Sequence, residues 1–184
     1  MSTEKTAEPV SARDRIVSTA GRLFYREGYR AVGVDRVIAE AEVAKATFYK
    51  HFPSKDDLIV AWISRAEEQS LRAVPPEDGP EPLTAYTDAM IAIAGRLECL
   101  GCTYQGSAAE FSDPGHPAHA AAIAVKQRVI FSLRRRAAYQ GIVDPEAAAD
   151  RIFLLLEGIW ASVRMFGTDA PLGQAKEAIR RLVA

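Results

Sequence analysis

The stretch GYRAVGVDRVIAEAEVAKATFYKHFPSKD, residues 28–56, contains the pattern that decides the fold. Its apolar spacing predicts two short helices, at about Val34–Ala41 and Lys45–His51, joined by a turn of only a few residues. Pro53 then interrupts the helical pattern, and Ser54 followed by Asp57 is a capping signal for a new helix. Two short helices with so tight a connection have the size of a helix-turn-helix unit.

The second short helix separates an apolar side from a polar side. Phe48 and Phe52 are one turn apart, so both can anchor the helix inward, although short aromatic helices are also common in ordinary cores. The remaining surface carries groups that suit phosphates, guanine edges or a thymine methyl. The residues that carry these groups are Lys45, Ala46, Thr47, Tyr49 and Lys50. Lys55 opens the next helix, where free N–H groups attract an anion, so a DNA phosphate nearby would explain a lysine at that position.

Helical periodicity extends through most of the chain, and alternating strand patterns are absent from the sequence. The other predicted helices are Ser11–Glu27, Ser54–Ala73, Pro82–Leu97, Ala118–Tyr139, Pro145–Phe166 and Gln174–Val183. Residues 75–80 are predicted to be a loop and residues 98–119 to be irregular. We therefore predict an all-α fold with a three-helix, helix-turn-helix domain at 9–53. A C-terminal helical domain at 54–184 follows, and residues 1–8 are predicted to be a disordered tail.

Composition limits the class of protein. The chain has 184 residues, 48% of them hydrophobic and 26% charged, which is typical of a folded globular protein. It has no apolar run long enough for a membrane span, and its N-terminus is too polar for a secretory signal, so a cytoplasmic location is expected. Residues 9–55 carry a net charge of +4 within a total of −1. This asymmetry favours a polyanionic partner, but an ordinary solvated surface explains it equally well.

The sequence resembles the tetracycline-repressor (TetR) family of bacterial transcriptional regulators over about residues 11–60. The resemblance rests on Gly28-Tyr29, on Val34, Val37-Ile38-Ala39, Ala41 and Val43, and most specifically on the run from Thr47 to Lys55 with Leu58. It implies a homodimer whose N-terminal domains bind a double-stranded DNA operator. It also implies a larger C-terminal domain that binds a small organic ligand, pairs through its last two long helices, and releases the operator when the ligand binds.

The resemblance also assigns roles to individual residues. Lys45 and Ala46 match positions that face bases. Thr47, Tyr49, His51 and Lys55 match phosphate contacts, and Lys50 matches either role. This chain departs from the family at three positions: Glu42 replaces a turn glycine, and Gly33 and Ala44 replace a serine or threonine. Glu42 is expected to be strained if the turn is left-handed. Gly33 and Ala44 remove two hydroxyls that would cap a helix or contact a phosphate.

The C-terminal half suggests a dimer and a ligand site. The helix Pro145–Phe166 is apolar on almost every side, so a partner subunit is expected to cover part of it, although a central core helix in a monomer has the same pattern. The expected interface residues are Phe153, Leu156, Trp160, Val163 and Ile179. Aromatic and sulfur side chains are the candidates for lining a ligand cavity, or else form plain core: Trp62, Tyr86, Met90, Tyr104, Phe111, Phe131 and Trp160.

Two motifs allow alternatives. Cys99 and Cys102, followed by His116 and His119, approach a zinc-site spacing, and the two thiols could also sense redox state. Reduced thiols and surface imidazoles are the favoured interpretation, so we expect no metal and no cofactor.

Arg134-Arg135-Arg136 is expected to be a solvated face. No P-loop, dinucleotide glycine pattern or G-x-S-x-G elbow occurs, so we predict a ligand-released repressor and not an enzyme.

Overall fold

The computed structural model describes residues 10–76 and 82–183, and within these ranges the chain forms nine α-helices, one 3₁₀ turn and no strand. The helices are α1 (Ala12–Glu27), α2 (Val34–Glu40), α3 (Lys45–His51), α4 (Lys55–Ala73), α5 (Leu83–Ala94), α6 (Thr103–Glu110), α7 (Pro117–Tyr139), α8 (Pro145–Phe166) and α9 (Leu172–Leu182). The prediction of an all-α fold is confirmed. Over the same ranges, no helix combines the length and the apolar character that a membrane crossing requires.

Some sequence predictions lie outside the described residues: the disordered tail at 1–8 and positions 77–80 of the predicted loop. Elsewhere the helix limits agree closely with expectation, and α3 has the predicted bounds. The capping signal at Ser54 forms, and Ser11 caps α1 in the same way. The Ser11 hydroxyl accepts a hydrogen bond from the Asp14 amide at 3.1 Å, and the Ser54 hydroxyl accepts one from the Asp57 amide at 3.1 Å. Short polar caps therefore fix where α1 and α4 begin.

The prediction for residues 98–119 was wrong, because α6 lies within them. Gly101 and Gly115 on either side of the helix, and Gly106 inside it, obscured its periodicity. Tertiary contact compensates for this low helix propensity: Ser107 is fully buried, and its hydroxyl donates to the Ala118 carbonyl of α7 at 3.1 Å. In α5 the helix ends at Ala94, before the predicted Leu97, because Gly95 caps it.

The chain divides into two compact units between Trp62 and Ile63. The first unit contains α1, α2, α3 and the start of α4, and so extends beyond the predicted domain end at residue 53. Trp62 shows why, because its indole ring lies against Gly21 of α1. A Cβ atom on Gly21 would lie 2.2 Å from that ring. The first turns of α4 are therefore part of the core that carries the helix-turn-helix unit.

An exposed ion-pair network joins α1 to α2 in the first unit. Arg22 of α1 and Arg36 of α2 both donate to the carboxylate of Glu40, at 2.8 and 2.9 Å. Arg36 also contacts Glu27 near the end of α1. The hydrogen bonds from Arg22 and then Arg36 hold the pKa of Glu40 below its usual value. Since the charged form of Glu40 is favoured in the fold, its contribution to stability is lost as the pH falls through that lowered pKa.

The second unit has an apolar core built from α5, α7, α8 and α9. Its fully buried side chains include Leu83, Leu133, Ile152, Leu156 and Ile179. The core occupies one side of α8, which leaves the opposite side of that helix exposed.

Arg136 of α7 corrects the expectation of a solvated arginine face. Its side chain is buried, with the guanidinium 4.6 Å from the centre of the Tyr86 ring. Nη2 donates to the carbonyls of Pro75 and Pro76 at 2.7 and 3.0 Å. Backbone carbonyls and an aromatic face thus surround this guanidinium, an arrangement that the charge run in the sequence could not reveal.

The contact between Gly21 and Trp62 predicts a stability effect. Gly21→Ala forces the indole ring to move, so we expect the free energy of unfolding to fall by about 1–3 kcal/mol. Gly173→Ala in α9 is the matched control, because a Cβ there meets nothing within 4 Å. Helix propensity alone should make the control neutral or stabilising by up to about 1 kcal/mol. Urea denaturation of both variants measures this, and equal effects would contradict the packing argument.

Candidate nucleic-acid interface

The turn between α2 and α3 is left-handed at Glu42, the conformation in which a residue other than glycine is strained. Glu42 has a φ of 52°, in the left-handed region that glycine adopts most easily. Its amide donates to the Ala39 carbonyl at 3.2 Å, and the Val43 amide donates to the Ile38 carbonyl at 3.3 Å. These bonds close the end of α2 and turn the chain into α3.

Two phenyl rings fix α3 to the first unit. Phe48 is 0% exposed and Phe52 is 2% exposed, and their ring centres are 6.1 Å apart. The Arg13 guanidinium of α1 lies 5.5 Å from the centre of the Phe52 ring. This confirms the prediction that Phe48 and Phe52 anchor the helix inward. Burying two aromatic side chains is a large apolar contribution for a helix of two turns.

The opposite side of α3 is open to solvent. Lys45, Ala46, Tyr49 and Lys50 are exposed, and Thr47 and His51 are half-buried at the edges of the same helix. Lys55, the first residue of α4, is also half-buried, and its ammonium donates to the Arg30 carbonyl at 3.3 Å. The structure therefore brings ammonium, phenol, imidazole and hydroxyl groups together on α3 and the first residue of α4. Such groups are hydrogen-bonding partners for phosphate oxygens and base edges.

The structure places one acidic residue beside this surface that the sequence pattern did not identify. Asp35, in the first turn of α2, places Oδ1 3.3 Å from Nζ of Lys45. Both side chains are largely exposed, at 85% for Asp35 and 67% for Lys45. The two residues are ten positions apart on different helices, so no helical periodicity could have paired them.

Two helix starts in this unit lack a side-chain cap, as expected. Gly33 precedes α2 and Ala44 precedes α3, and both have extended backbones without a capping hydrogen bond from a side chain. The first amides of α3 are therefore not occupied by a hydroxyl of the preceding residue, which leaves the positive end of the helix open beside Lys45.

The candidate ligand residues of the second unit fall into separate groups. Tyr86 and Trp160 belong to its buried core, and Met90 and Tyr104 pack partly buried against that core. Phe111 is buried elsewhere, with its ring stacked on His116 at 4.2 Å. Three polar side chains of the second unit are half-buried and in contact with one another. Gln105 donates to Glu157 at 2.9 Å, and Lys126 contacts the same carboxylate.

Two ligand candidates need correction. Trp62 lies against Gly21 in the first unit, so its ring belongs to the core that carries α3. Phe131 is 61% exposed on α7, with the Arg135 guanidinium 6.0 Å from its ring centre. Its ring therefore faces outward from the described part of the second unit. Sequence spacing identified aromatic residues on helices but not which side of each helix faces inward.

The expected dimer residues are also corrected. Four of the five are buried by their own subunit: Leu156, Trp160, Val163 and Ile179. The fifth, Phe153, is partly buried and packs against the same core. A partner subunit cannot reach the buried four. The exposed side of α8 carries different residues: Leu154, Gly158, Ala161 and Met165.

The structure does not assemble Cys99, Cys102, His116 and His119 into a metal site. No group of three or more metal-binding side chains lies close enough together anywhere in the described ranges. His116 Nδ1 accepts from the Ala118 amide at 3.2 Å, and His119 Nδ1 lies 2.7 Å from the Phe111 carbonyl oxygen. Both imidazoles are half-buried by these contacts and are not free surface groups. Cys99 and Cys102 are reduced thiols.

The left-handed Glu42 predicts a stabilising substitution. Glu42→Gly should raise the free energy of unfolding by roughly 0.5–1 kcal/mol, because glycine adopts this conformation without steric strain. Glu42→Ala removes the same side chain but keeps the Cβ, so it should stay within about 0.5 kcal/mol of the parent. Thermal unfolding followed by circular dichroism compares the two. A gain in the alanine variant as large as in the glycine variant would assign the effect to side-chain charge instead of backbone strain.

Comparison with known proteins identifies the family of this arrangement. The family model for bacterial regulatory proteins of the tetR family matches residues 16–62. The regulator TcmR of Streptomyces glaucescens is 34% identical over 86 residues, which are 46% of this chain and 38% of that protein. The match thus spans well under half of that curated relative.

Solved structures extend the similarity over most of the chain. SCO4454, a TetR-family transcriptional regulator from Streptomyces coelicolor, superposes with a TM-score of 0.86 at 31% identity and covers 94% of both chains. The TetR-type regulator sav143 from Streptomyces avermitilis superposes with a TM-score of 0.82 at 27% identity, over 95% of this chain and 97% of that one. With the helix-turn-helix geometry and the nine-helix order of its described residues, this chain belongs to the TetR family of transcriptional regulators.

Proposed function

We propose that this protein is a cytoplasmic transcriptional regulator that binds a specific double-stranded DNA operator as a homodimer. A small organic ligand releases the operator, and the protein represses transcription instead of catalysing a reaction. The main support for the proposal is the exposed face of α3, where Lys45, Tyr49 and Lys50 face solvent. On the other side of the helix, Phe48 and Phe52 are buried. A helix held in this way can enter a major groove without disturbing the core behind it.

Within this proposal each exposed or half-buried residue of this surface has a role that its chemistry suits. Lys45 and Ala46, at the N-terminal end of α3, face the base edges, where lysine can bond guanine and a methyl can touch thymine. Thr47, Tyr49, His51 and Lys55 hold phosphates, and Lys50 can do either. Phosphate contacts fix the position of α3 on the duplex, and the two base-facing residues read the sequence.

The operator sequence can be identified by selection from random DNA. Selection of bound duplexes from a random double-stranded library should enrich one motif. If two recognition helices related by a two-fold axis bind together, that motif has two inverted half-sites about 34–36 Å apart. Affinity for the selected duplex should fall steeply with salt as phosphate-bound counterions are released. An unenriched library, or binding that does not depend on salt, would contradict the proposed function.

Two substitutions should separate base reading from phosphate contact. Lys45→Ala should change the preferred sequence and lower discrimination between operator and mismatched duplex by about 1–3 kcal/mol. Lys55→Ala should weaken binding to every duplex alike and reduce the slope of log K against log salt by about one. Fluorescence anisotropy on operator and scrambled duplexes measures both. If Lys45→Ala weakens both duplexes equally, Lys45 contacts a phosphate and its assigned role is wrong.

The homodimer is proposed from exposed stripes on the two longest helices of the second unit. On α8, Leu154, Gly158, Ala161 and Met165 are exposed at spacings of four, three and four residues. On α7, the exposed fraction is 39% for Ile123 and 61% for Phe131. Apolar and small residues at heptad spacing favour close pairing of helices around a two-fold axis.

A substitution in the middle of the α8 stripe tests this interface. A Cβ on Gly158 meets nothing within 4 Å in the subunit, so Gly158→Arg should leave the fold intact. It should convert the dimer to a monomer, because the large charged side chain would be buried where two α8 helices meet. Gln174→Arg, at an exposed position of α9, is the control. Analytical ultracentrifugation measures the mass, and a dimeric Gly158→Arg variant would place the interface elsewhere.

The effector site is proposed around Tyr104, beside the polar group formed by Gln105, Lys126 and Glu157. Met90 and Trp160, which belong to the same apolar cluster as Tyr104, are the proposed apolar walls. Tyr104 and Lys126 are in contact, with the ammonium 5.7 Å from the ring centre, and Gln105 donates to Glu157. Apolar walls with a few placed polar groups are typical of small-molecule sites.

The effector proposal is tested by a screen of small organic compounds for a rise in melting temperature. Compounds that stabilise the protein should also lower its affinity for the selected operator, because they bind the conformation that releases DNA. Met90→Trp adds volume at the proposed site and should remove both responses while leaving operator affinity unchanged. Hits that still stabilise a folded Met90→Trp variant would place the effector at another site.

A further inference from the structure

The ion pair between Asp35 and Lys45 adds an acid beside the proposed DNA-binding surface. Asp35 Oδ1 lies 3.3 Å from Lys45 Nζ, and their side chains are 85% and 67% exposed. A pair so exposed contributes little to the stability of the fold. A carboxylate at this position also repels the phosphates of a bound duplex, so it lowers affinity for DNA in general. The contact therefore needs an explanation other than stability or affinity.

The position of Lys45 supplies that explanation. Lys45 is the first residue of α3, where the helix dipole disfavours a cation, and Ala44 before it provides no side-chain cap. A lysine without an acid beside it would turn toward the nearest phosphate. Asp35 is held in the first turn of α2, which favours an acid, and from there it attracts the Lys45 ammonium. The acid thus competes with phosphates for Lys45.

We propose that Asp35 is a specificity-determining residue that keeps the Lys45 ammonium directed at base edges and away from the DNA backbone. This inference rests on the proposed function of operator binding. Asp35 acts through Lys45: by drawing the ammonium away from phosphates, it makes wrong sequences bind less well. Specific binding in general depends on such repulsive elements as well as on favourable contacts.

The test compares Asp35→Asn with the parent on the selected operator and on a scrambled duplex over a range of salt concentrations. With the carboxylate neutralised, Lys45 can pair with a phosphate. Affinity for the scrambled duplex should rise severalfold, and its salt slope should steepen by about one. Operator affinity should change less, so the ratio of operator to scrambled affinity should fall severalfold. Asp35→Glu keeps the charge and should retain most of that ratio.

Two further variants separate this mechanism from its alternatives. Glu98→Gln makes the same change in net charge at an exposed position of the second unit, and its affinity ratio should equal that of the parent. In a Lys45→Ala background, Asp35→Asn should leave the ratio unchanged, because the acid acts through Lys45. An equal ratio in Asp35→Asn and the parent would overturn the inference and assign Asp35 a purely structural role, visible only in the melting temperature. An equal fall of the ratio in the Lys45→Ala background would overturn it too.

Failure of the proposed function has a different signature. If the parent protein itself shows no preference for any selected duplex, operator binding is wrong, and the inference falls with it. If the parent prefers its operator and only the Asp35 result fails, the regulator remains and Asp35 has no part in its specificity.

Discussion

The burial of Phe48 and Phe52 is the interaction on which the rest of the first unit depends. A helix of seven residues is too short to be stable alone, so packing must supply what hydrogen bonds and propensity do not. Two phenyl rings one turn apart provide that packing on one side only. The other side is therefore left exposed to solvent, and its orientation is set by the packing of the two rings.

Several weaknesses of the first unit are tolerated because this anchor exists. Glu42 is left-handed without being glycine, and Gly33 and Ala44 offer no hydroxyl to cap the helices that follow them. Each feature opposes the local stability of α2 or α3. The ion pairs of Arg22 and Arg36 with Glu40, and the packing of Trp62 on Gly21, act on the same small unit in the opposite direction.

Local signals in the sequence predicted the first unit well and the second unit less well. Caps at Ser11 and Ser54 and the aromatic spacing of α3 depend on neighbours within one turn, so the sequence contains them directly. Other features depend on which helices meet, and the sequence of a single helix does not contain that information. These features are the Asp35–Lys45 pair, the burial of Arg136 and the inward face of α8. The same reason explains the error on α8. Its apolar residues were recognised, but Leu156 and Val163 are buried by their own subunit, whereas Leu154 and Met165 are exposed.

Lysine footprinting can show whether the exposed face of α3 lies against DNA. The free protein and its complex with the selected duplex are acetylated briefly, and modification at each lysine is measured by mass spectrometry. Lys45 and Lys50 should be modified in the free protein and protected in the complex, while Lys176 of α9 should react equally in both. Unchanged modification of Lys45 and Lys50 in a saturated complex would contradict contact between this face and DNA.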